Sequence, residues 1–264
     1  MESNEILRRT VAIARDAGDL LLDYAARGFA VDRKGETDLV TEADRASEDL
    51  VLSRLRSEFP GTNILAEESG LSGEPEGDLW VVDPLDGTTN FAHGIPVWSV
   101  SIGMLRNGRP EIGVVLDPNR GECFAARRGG GAYCNDAPLA ISTREQLLES
   151  VLVTGFPYDL RTSPVNNLDH WEHLMKECRA VRRLGSAAID LAWTAAGRFD
   201  AFWELKLHSW DVAAGALLVE EAGGAVTRFD GAPFDVLAPE EMVAGSPALL
   251  PKLREVLARG LRPA

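Results

Sequence analysis

Trp80-Val81-Val82-Asp83-Pro84-Leu85-Asp86-Gly87-Thr88-Thr89-Asn90 runs an apolar stretch into two acids, a proline and a small polar cluster. The apolar part, with Leu79, reads as a buried strand. Pro84 has no N–H for a ladder, so the chain is expected to leave the sheet there, with Asp83 at the strand end. Asp86-Gly87-Thr88-Thr89 reads as a helix start with Asp86 as N-cap. Strand ends of open sheets present ligands, and the free N–H groups of a helix start attract anions. The segment therefore offers hard oxygen ligands for a divalent cation beside a seat for phosphate. Mg²⁺ suits it, because that ion takes few carboxylates, several waters and substrate phosphate oxygens. Alone, the segment reads equally as an acidic turn before a capped helix.

On its N-terminal side the spacing predicts two helices. Residues 4–27 carry Ile6, Leu7, Val11, Ala14, Ala17, Gly18, Leu21 and Leu22 on one face. Residues 42–57 repeat the pattern with Leu50, Val51 and Leu55, behind Thr41 as N-cap with Asp44 three residues on. A short strand, Ile64-Leu65-Ala66, then leads into Glu67-Glu68. On the C-terminal side three antiparallel strands are expected at 97–105, 111–116 and 122–126. Asn107-Gly108 and Pro118-Asn119-Arg120-Gly121 supply the turns. Beyond residue 149 strands (151–154, near Val181, 200–203, 225–227, 242–244) alternate with helices (166–178, 186–197, 211–222, 247–259). The pattern implies one unit over 1–264 with two sub-lobes, α+β over 1–148 and α/β over 149–264.

Composition excludes several classes of function. A net charge of -14 argues against nucleic-acid binding through a basic surface. It also means that an anionic substrate would be repelled unless cations intervene. No apolar run approaches the roughly 20 residues of a membrane span, and the start shows no basic or apolar leader pattern. Cys123, Cys134 and Cys178 are odd in number and lack C-x-x-C spacing, as in a reducing cytoplasm. A cytoplasmic location without membrane contact is expected.

Acids concentrate at four places: Asp38 with Asp44, Glu67-Glu68, Asp83 with Asp86, and Asp211 at the start of an apolar helix. Each has an ordinary alternative. Glu67-Glu68 also reads as a solvated loop, Asp211 as a first-turn acid, and Asp44 as helix surface. The four histidines, His93, His170, His173 and His208, show no triad pattern and need no catalytic role.

Four motifs and one shorter match then occur in a fixed order. They are Asp38-Leu39-Val40-Thr41-Glu42-Ala43-Asp44, A-E-E-S at 66–69, D-P-L-D-G-T-T-N-F-x-H-G at 83–94, Gly185-Ser186-Ala187-Ala188, and W-D-V-A-A-G-A-L-L-V-E-E-A-G-G at 210–224. With them the chain resembles the inositol monophosphatase family of lithium-sensitive, magnesium-dependent phosphatases over nearly its whole length. The resemblance implies a layered αβαβα sandwich, a homodimer, and hydrolysis of a small phosphate monoester by metal-activated water. It assigns Glu67, Asp83 and the Leu85 carbonyl to a first Mg²⁺, Asp83, Asp86 and Asp211 to a second, and Glu67 to a weaker third. It assigns the Gly87 and Thr88 N–H groups to the phosphate. The Thr88 hydroxyl and Asp44 fall beside the attacking water, with Glu67 also in the catalytic set. Ser186, Ala187 and Glu204 face the alcohol portion, with Asp86 and Asp211 near its hydroxyls.

Inositol 1-phosphate is the leading substrate, since a carboxylate at 204 suits cyclitol hydroxyls and repels a second phosphate. Fructose 1,6-bisphosphate, histidinol phosphate, NADP and adenosine 3′,5′-bisphosphate stay open, as does a regulatory, partner-binding protein on the same fold. Where the family often has a small residue two positions after this glutamate, Lys206 stands here. It reads as a surface residue or as a contact for a second anionic group.

Overall fold

The computed structural model describes residues 2–33, 39–74 and 77–260; Asp38 lies outside them. The chain opens with α1 (Ser3–Arg27), a two-stranded hairpin of β1 (Val31–Arg33) and β2 (Leu39–Thr41), and α2 (Glu42–Glu58). Next come β3 (Asn63–Ala66), β4 (Gly70–Ser72), β5 (Asp78–Asp86) and the short α3 (Thr88–Ala92). A meander follows: β6 (Ser99–Arg106), β7 (Arg109–Asp117), β8 (Glu122–Arg127), β9 (Gly131–Cys134) and β10 (Ala137–Pro138). These form an eight-stranded sheet of order β10-β9-β8-β7-β6-β5-β3-β4, antiparallel except between β3 and β5. Asn107 and Gly108 both have positive φ, as a two-residue hairpin turn between β6 and β7 requires.

The second half alternates β11 (Val151–Thr154), α4 (Leu168–Glu177), β12 (Ala180–Arg182), α5 (Ala187–Ala195), β13 (Ala201–Leu205), α6 (Ser209–Glu221), β14 (Ala225–Thr227), β15 (Glu241–Gly245) and α7 (Leu250–Gly260). Its sheet has the order β12-β11-β13-β15-β14, with β15 antiparallel to both neighbours.

Strand periodicity builds the layers. Along β5, Trp80 and Val82 enter a core under α1 and α2, while Leu79 and Val81 enter a core shared with α5 and α6. That middle core also takes Val153, Phe202, Met242 and Ala244 from the second sheet. On that sheet's far face Leu152, Trp203 and Val243 pack against residues of α4 and α7. The order is helices, sheet, helices, sheet, helices: the αβαβα sandwich expected from the sequence.

The strand and cap at 83–86 differ from expectation. β5 does not end at Pro84. Asp83 pairs with Ser101 and Asp86 with Ser99, so two residues of β5 oppose one of β6. This is a β-bulge, and Pro84 sits inside it, where no ladder N–H is needed. Nor is Asp86 the N-cap of α3; Gly87 is, at φ 94. Among sequence-derived boundaries, α6 starts two residues earlier than expected, which makes Asp211 its third residue.

α6 lies close against the first sheet because glycines leave room. A Cβ at Gly113 would stand 2.7 Å from the Ala214 carbonyl oxygen, and one at Gly215 would stand 2.6 Å from Leu191 Cβ. Gly113→Ala is therefore expected to lower stability by about 1–3 kcal/mol through overpacking against backbone. Urea unfolding of the variant should show an earlier midpoint with an unchanged slope; an unchanged midpoint would refute the tight fit.

Candidate active site

A cavity of about 530 Å³ opens where β5, α3, α5, β13 and α6 meet, a size suited to a small ligand. Glu67, Asp83, Leu85, Asp86, Gly87, Thr88, Ser186, Ala187, Glu204 and Asp211 all line it. Segments up to 144 residues apart in sequence thus converge on one space, from Glu67 to Asp211. Asp44 does not line it but stands directly behind Thr88, whose Oγ1 lies 2.8 Å from Asp44 Oδ1.

One face of α2 supports the site from below. Thr41 caps the helix, accepting from the N–H groups of Ala43 and Asp44, while the Thr41 N–H donates to Asp44 Oδ2 at 2.8 Å. Three residues on, Ser47 Oγ donates to the Pro84 carbonyl at 2.8 Å, pinning the bulge. Glu48 Oε2 accepts from the Glu68 N–H at 2.9 Å, and the Glu67 N–H donates to the Val82 carbonyl at 3.2 Å. Asp44, Ser47 and Glu48 sit at i, i+3 and i+4, so a single helical turn holds Thr88, Pro84 and the Glu67-Glu68 turn.

The opposite wall comes from the second half of the chain. Ser186 caps α5 and donates through Oγ to Asp86 Oδ2, which also accepts from the Ala188 N–H at 2.8 Å. Asn90 spans the halves, donating to the carbonyls of Val97 at 2.7 Å and Leu184 at 2.8 Å. Asp211 accepts from the His208 N–H at 2.7 Å, and Ser101 Oγ donates to the Trp210 carbonyl at 3.3 Å. Asp211 is thus both a first-turn acid of α6 and a wall of the cavity. On β13 Glu204 shares a face with Phe202, toward the middle layer, and accepts from the Gly155 N–H.

The electrostatics are those of crowded, dehydrated acids. Burial pushes Asp83 well above the usual carboxylate range, and the charges of Glu67, Asp86 and Asp211 push it further. Asp86 is raised to about 7, by burial first and the Asp211 charge next, against hydrogen bonds from Ser186, Ala188 and Ala187. Glu204 is raised well up by burial and then by Asp211 and Asp86, with Arg183 opposing. Asp44 is raised by burial, while its bonds from Thr41 and Thr88 resist.

Such a donor set fits a divalent cation. Four carboxylates that repel one another would ionise together only beside positive charge. Among the described residues no three Asp, Glu, His or Cys side chains close on one point to cage an ion unaided. The acids stand around the cavity instead. That suits Mg²⁺, which keeps several waters and takes few carboxylates besides substrate oxygens.

The inositol monophosphatase family model matches residues 2–262. The chain belongs to the inositol monophosphatase family. That membership makes it a phosphatase of this family. Its similar relatives include "Nus factor SuhB" of Pseudomonas aeruginosa, 45% identical with 91% of each chain covered. The inositol-1-monophosphatase of Mesorhizobium japonicum is 44% identical, with 89% of this chain and 86% of the relative covered. Among solved structures, inositol monophosphatase from Anabaena (Nostoc) is 42% identical and covers 97% of this chain and 96% of its own, with a TM-score of 0.89. The suhB protein of Bartonella henselae is 38% identical over 97% of this chain and all of its own, with a TM-score of 0.91.

Sequence reasoning missed part of the site of this family member. Ser47 and Glu48 carried a readable signal, as polar residues on the buried face of an amphipathic helix. Asp190, a lone acid in the apolar run of α5, carried another. Lys206 does not line the cavity; its Nζ bonds Asp159 Oδ2 at 2.6 Å and Ser163 Oγ at 2.8 Å. Its φ of 57 lies in the left-handed region, where glycine sits with less strain than a longer side chain. Among the histidines, His170 packs edge-on to Phe229, whereas His208 stacks on Trp210 at the cavity rim.

A carboxyl whose folded pKa is raised keeps its proton more readily in the folded state, so its stabilising effect fades as pH climbs from the unfolded to the folded pKa. For Asp86 that window runs from 3.8 to about 7, and Asp83 and Glu204 act with the same sign. The metal-free protein should therefore gain thermal stability on acidification from about pH 8 to 5.5. Added Mg²⁺ at pH 8 should raise the melting temperature toward the acidic value. A metal-free melting temperature that falls throughout acidification, together with no response to Mg²⁺, would contradict the crowding.

Proposed function

We propose that the protein hydrolyses inositol 1-phosphate to inositol and phosphate, in a Mg²⁺-dependent reaction with water as nucleophile. One observation carries the reading: Glu67, Asp83, Asp86 and Asp211 share a single cavity with Thr88, and Asp44 stands behind Thr88. In this assignment Glu67, Asp83 and the Leu85 carbonyl hold a first ion, and Asp83, Asp86 and Asp211 a second. Glu67 reaches a weaker third. Bound there, the ions supply charge neutralisation for the phosphoryl and departing oxygens and ease the ionisation of water.

The protein's own groups do the rest. The Thr88 hydroxyl has one proton and two acceptors in reach, Asp44 Oδ1 and the Leu85 carbonyl at 3.0 Å. Donating to either, Thr88 keeps its oxygen lone pairs for the proton of an attacking water, which orients that water. The Gly87 and Thr88 N–H groups are assigned to the phosphate. The backbone is tight there, since a Cβ at 87 would lie 3.0 Å from the Val97 carbonyl oxygen. Ser186, Ala187 and Glu204 face the alcohol. The same reading includes a cytoplasmic homodimer.

Asp83→Asn should lower kcat/KM for inositol 1-phosphate by about 10²–10³-fold, the scale of losing one preorganised electrostatic group. A panel of phosphate-release rates at fixed Mg²⁺ should rank inositol 1-phosphate above fructose 1,6-bisphosphate, and lithium should slow the reaction. Equal or faster turnover of the bisphosphate would overturn the ranking, and full activity in high lithium would count against the ion assignment.

A second reading, a regulatory protein acting through partners, is favoured by the name Nus factor borne by the Pseudomonas aeruginosa relative. Replacing the native gene copy with Asp83→Asn separates the two. Loss of the cellular phenotype along with hydrolysis supports the enzyme alone; an intact phenotype supports the partner role.

A further inference from the structure

α3 is too short to hold its own direction. It spans five residues, Thr88–Ala92, and so short a helix is marginal without tertiary support. The Gly87 and Thr88 N–H groups at its start are the ones assigned to the phosphate, so their aim has to be fixed from outside the helix. Asn90, its third residue, lines the cavity and is 7% exposed. Its Nδ2 donates at 2.7 Å to the carbonyl of Val97, in the turn after α3. The same nitrogen donates at 2.8 Å to the carbonyl of Leu184, two residues before Ser186, the N-cap of α5. Its backbone carbonyl accepts from the Ile95 N–H at 2.9 Å, so the turn after α3 folds around this one residue.

The two segments that Asn90 holds are the ones that enclose the phosphate seat. A Cβ at Gly87 would stand 3.0 Å from the Val97 carbonyl oxygen and 3.2 Å from that of Gly185. Gly185, at φ 88, stands against the clamp itself, since a Cβ there would lie 3.2 Å from Asn90 Nδ2. One residue on, Ser186 donates to Asp86. The chemistry of the two bonds selects a carboxamide. Both partners are carbonyl oxygens, and the NH₂ end of an asparagine offers one proton to each, whereas an ionised aspartate offers none. In a motif otherwise rich in acids, the position that ties the two halves of the chain carries the neutral donor.

We propose that Asn90 is a positioning residue: by holding the Val97 and Leu184 carbonyls together, its amide sets the aim of the Gly87 and Thr88 N–H groups and so the strength with which the cavity takes a phosphate. The assignment rests on the phosphatase reading of this cavity. It gives a role to a motif residue that neither the ion positions nor the alcohol side uses.

The test measures the binding of inorganic phosphate by calorimetry, on the full-length protein with Mg²⁺, beside the hydrolysis of inositol 1-phosphate. Asn90→Ala removes both donors; Asn90→Asp keeps the size and sets an acceptor before two carbonyls. Each should weaken phosphate binding about tenfold or more, the scale of a hydrogen bond to a charged group. Each should lower kcat/KM about 10²-fold, as expected for a small misplacement of the reacting groups. A merely structural role would lower kcat and the number of binding sites through a smaller folded fraction, with KM and the dissociation constant unmoved. That pattern, or unchanged phosphate binding in a folded variant, would overturn the proposal. Where neither variant folds, the unaltered protein labelled with ¹⁵N-asparagine replaces them. Both Asn90 side-chain protons should exchange slowly with water and their signals should shift when phosphate and Mg²⁺ are added; rapid exchange, or signals that phosphate leaves in place, would overturn the proposal. Phosphate binding that depends on Asn90 in a protein unable to hydrolyse the ester would support the clamp and sink only the catalytic reading.

Discussion

Everything in this molecule is arranged around the repulsion between buried carboxylates. Asp83, Asp86, Glu204 and Asp190 are all buried, and burial is the first cause raising each of them. A fold selected only for stability would place such groups in water, where their charges are screened. Holding them together needs a scaffold that resists their separation. It also leaves a site that favours cations over anions.

The scaffold meets this demand by placing the acids at positions the backbone fixes for other reasons. The bulge at Pro84 keeps Asp83 and Asp86 in β5 while bending the strand between them. Asp211 lies in the first turn of α6, which is wedged between the first sheet and α5 by glycine contacts. Ser47 and Glu48 hold the bulge and the Glu67 turn by hydrogen bonds from α2. None of these supports is a surface ion pair, whose contribution is small and falls with salt. They are backbone and short side-chain hydrogen bonds in dry surroundings, where an unmade bond costs more than a made one gains.

Much of this could be read from the sequence, and the residues explain where reading stopped. The strand at 79–82, the cap at Thr41 and the apolar helix after Asp211 follow local rules of periodicity and capping, and local rules survive folding. The bulge did not follow, because Pro84 forbids a ladder bond only where one is required, and register with β6 decides that from afar. Asp86 looked like a helix cap for the same reason: its actual partners, Ser186 and Ala188, are a hundred residues away. Asp190 is visible as an acid in an apolar helix, but that the charges of Glu204 and Asp86 act on it depends on folding, which spacing cannot supply. Lys206 is the reverse case. Its charge invited a functional reading, while the backbone angle and a tether to Asp159 account for it locally.

That tether also bears on how the cavity selects. The segment between β11 and α4 supplies Phe156, Pro157, Tyr158 and Leu160 as one wall. Its two ends are joined by Asn167, which donates to Gly155 O at 2.7 Å and Thr154 Oγ1 at 2.9 Å and accepts from Trp203 Nε1 at 2.8 Å. Lys206 binds its middle at Asp159 and Ser163. A wall fixed at both ends and once between them acts as a boundary rather than a closing lid. Selectivity then has to come from fixed groups, and Glu204, which accepts from the Gly155 N–H at the start of this segment, disfavours further negative charge there. The same burial that raises Asp86 also raises Glu204, so one constraint, repulsion among dehydrated acids, sets the polarity of the cavity as a whole.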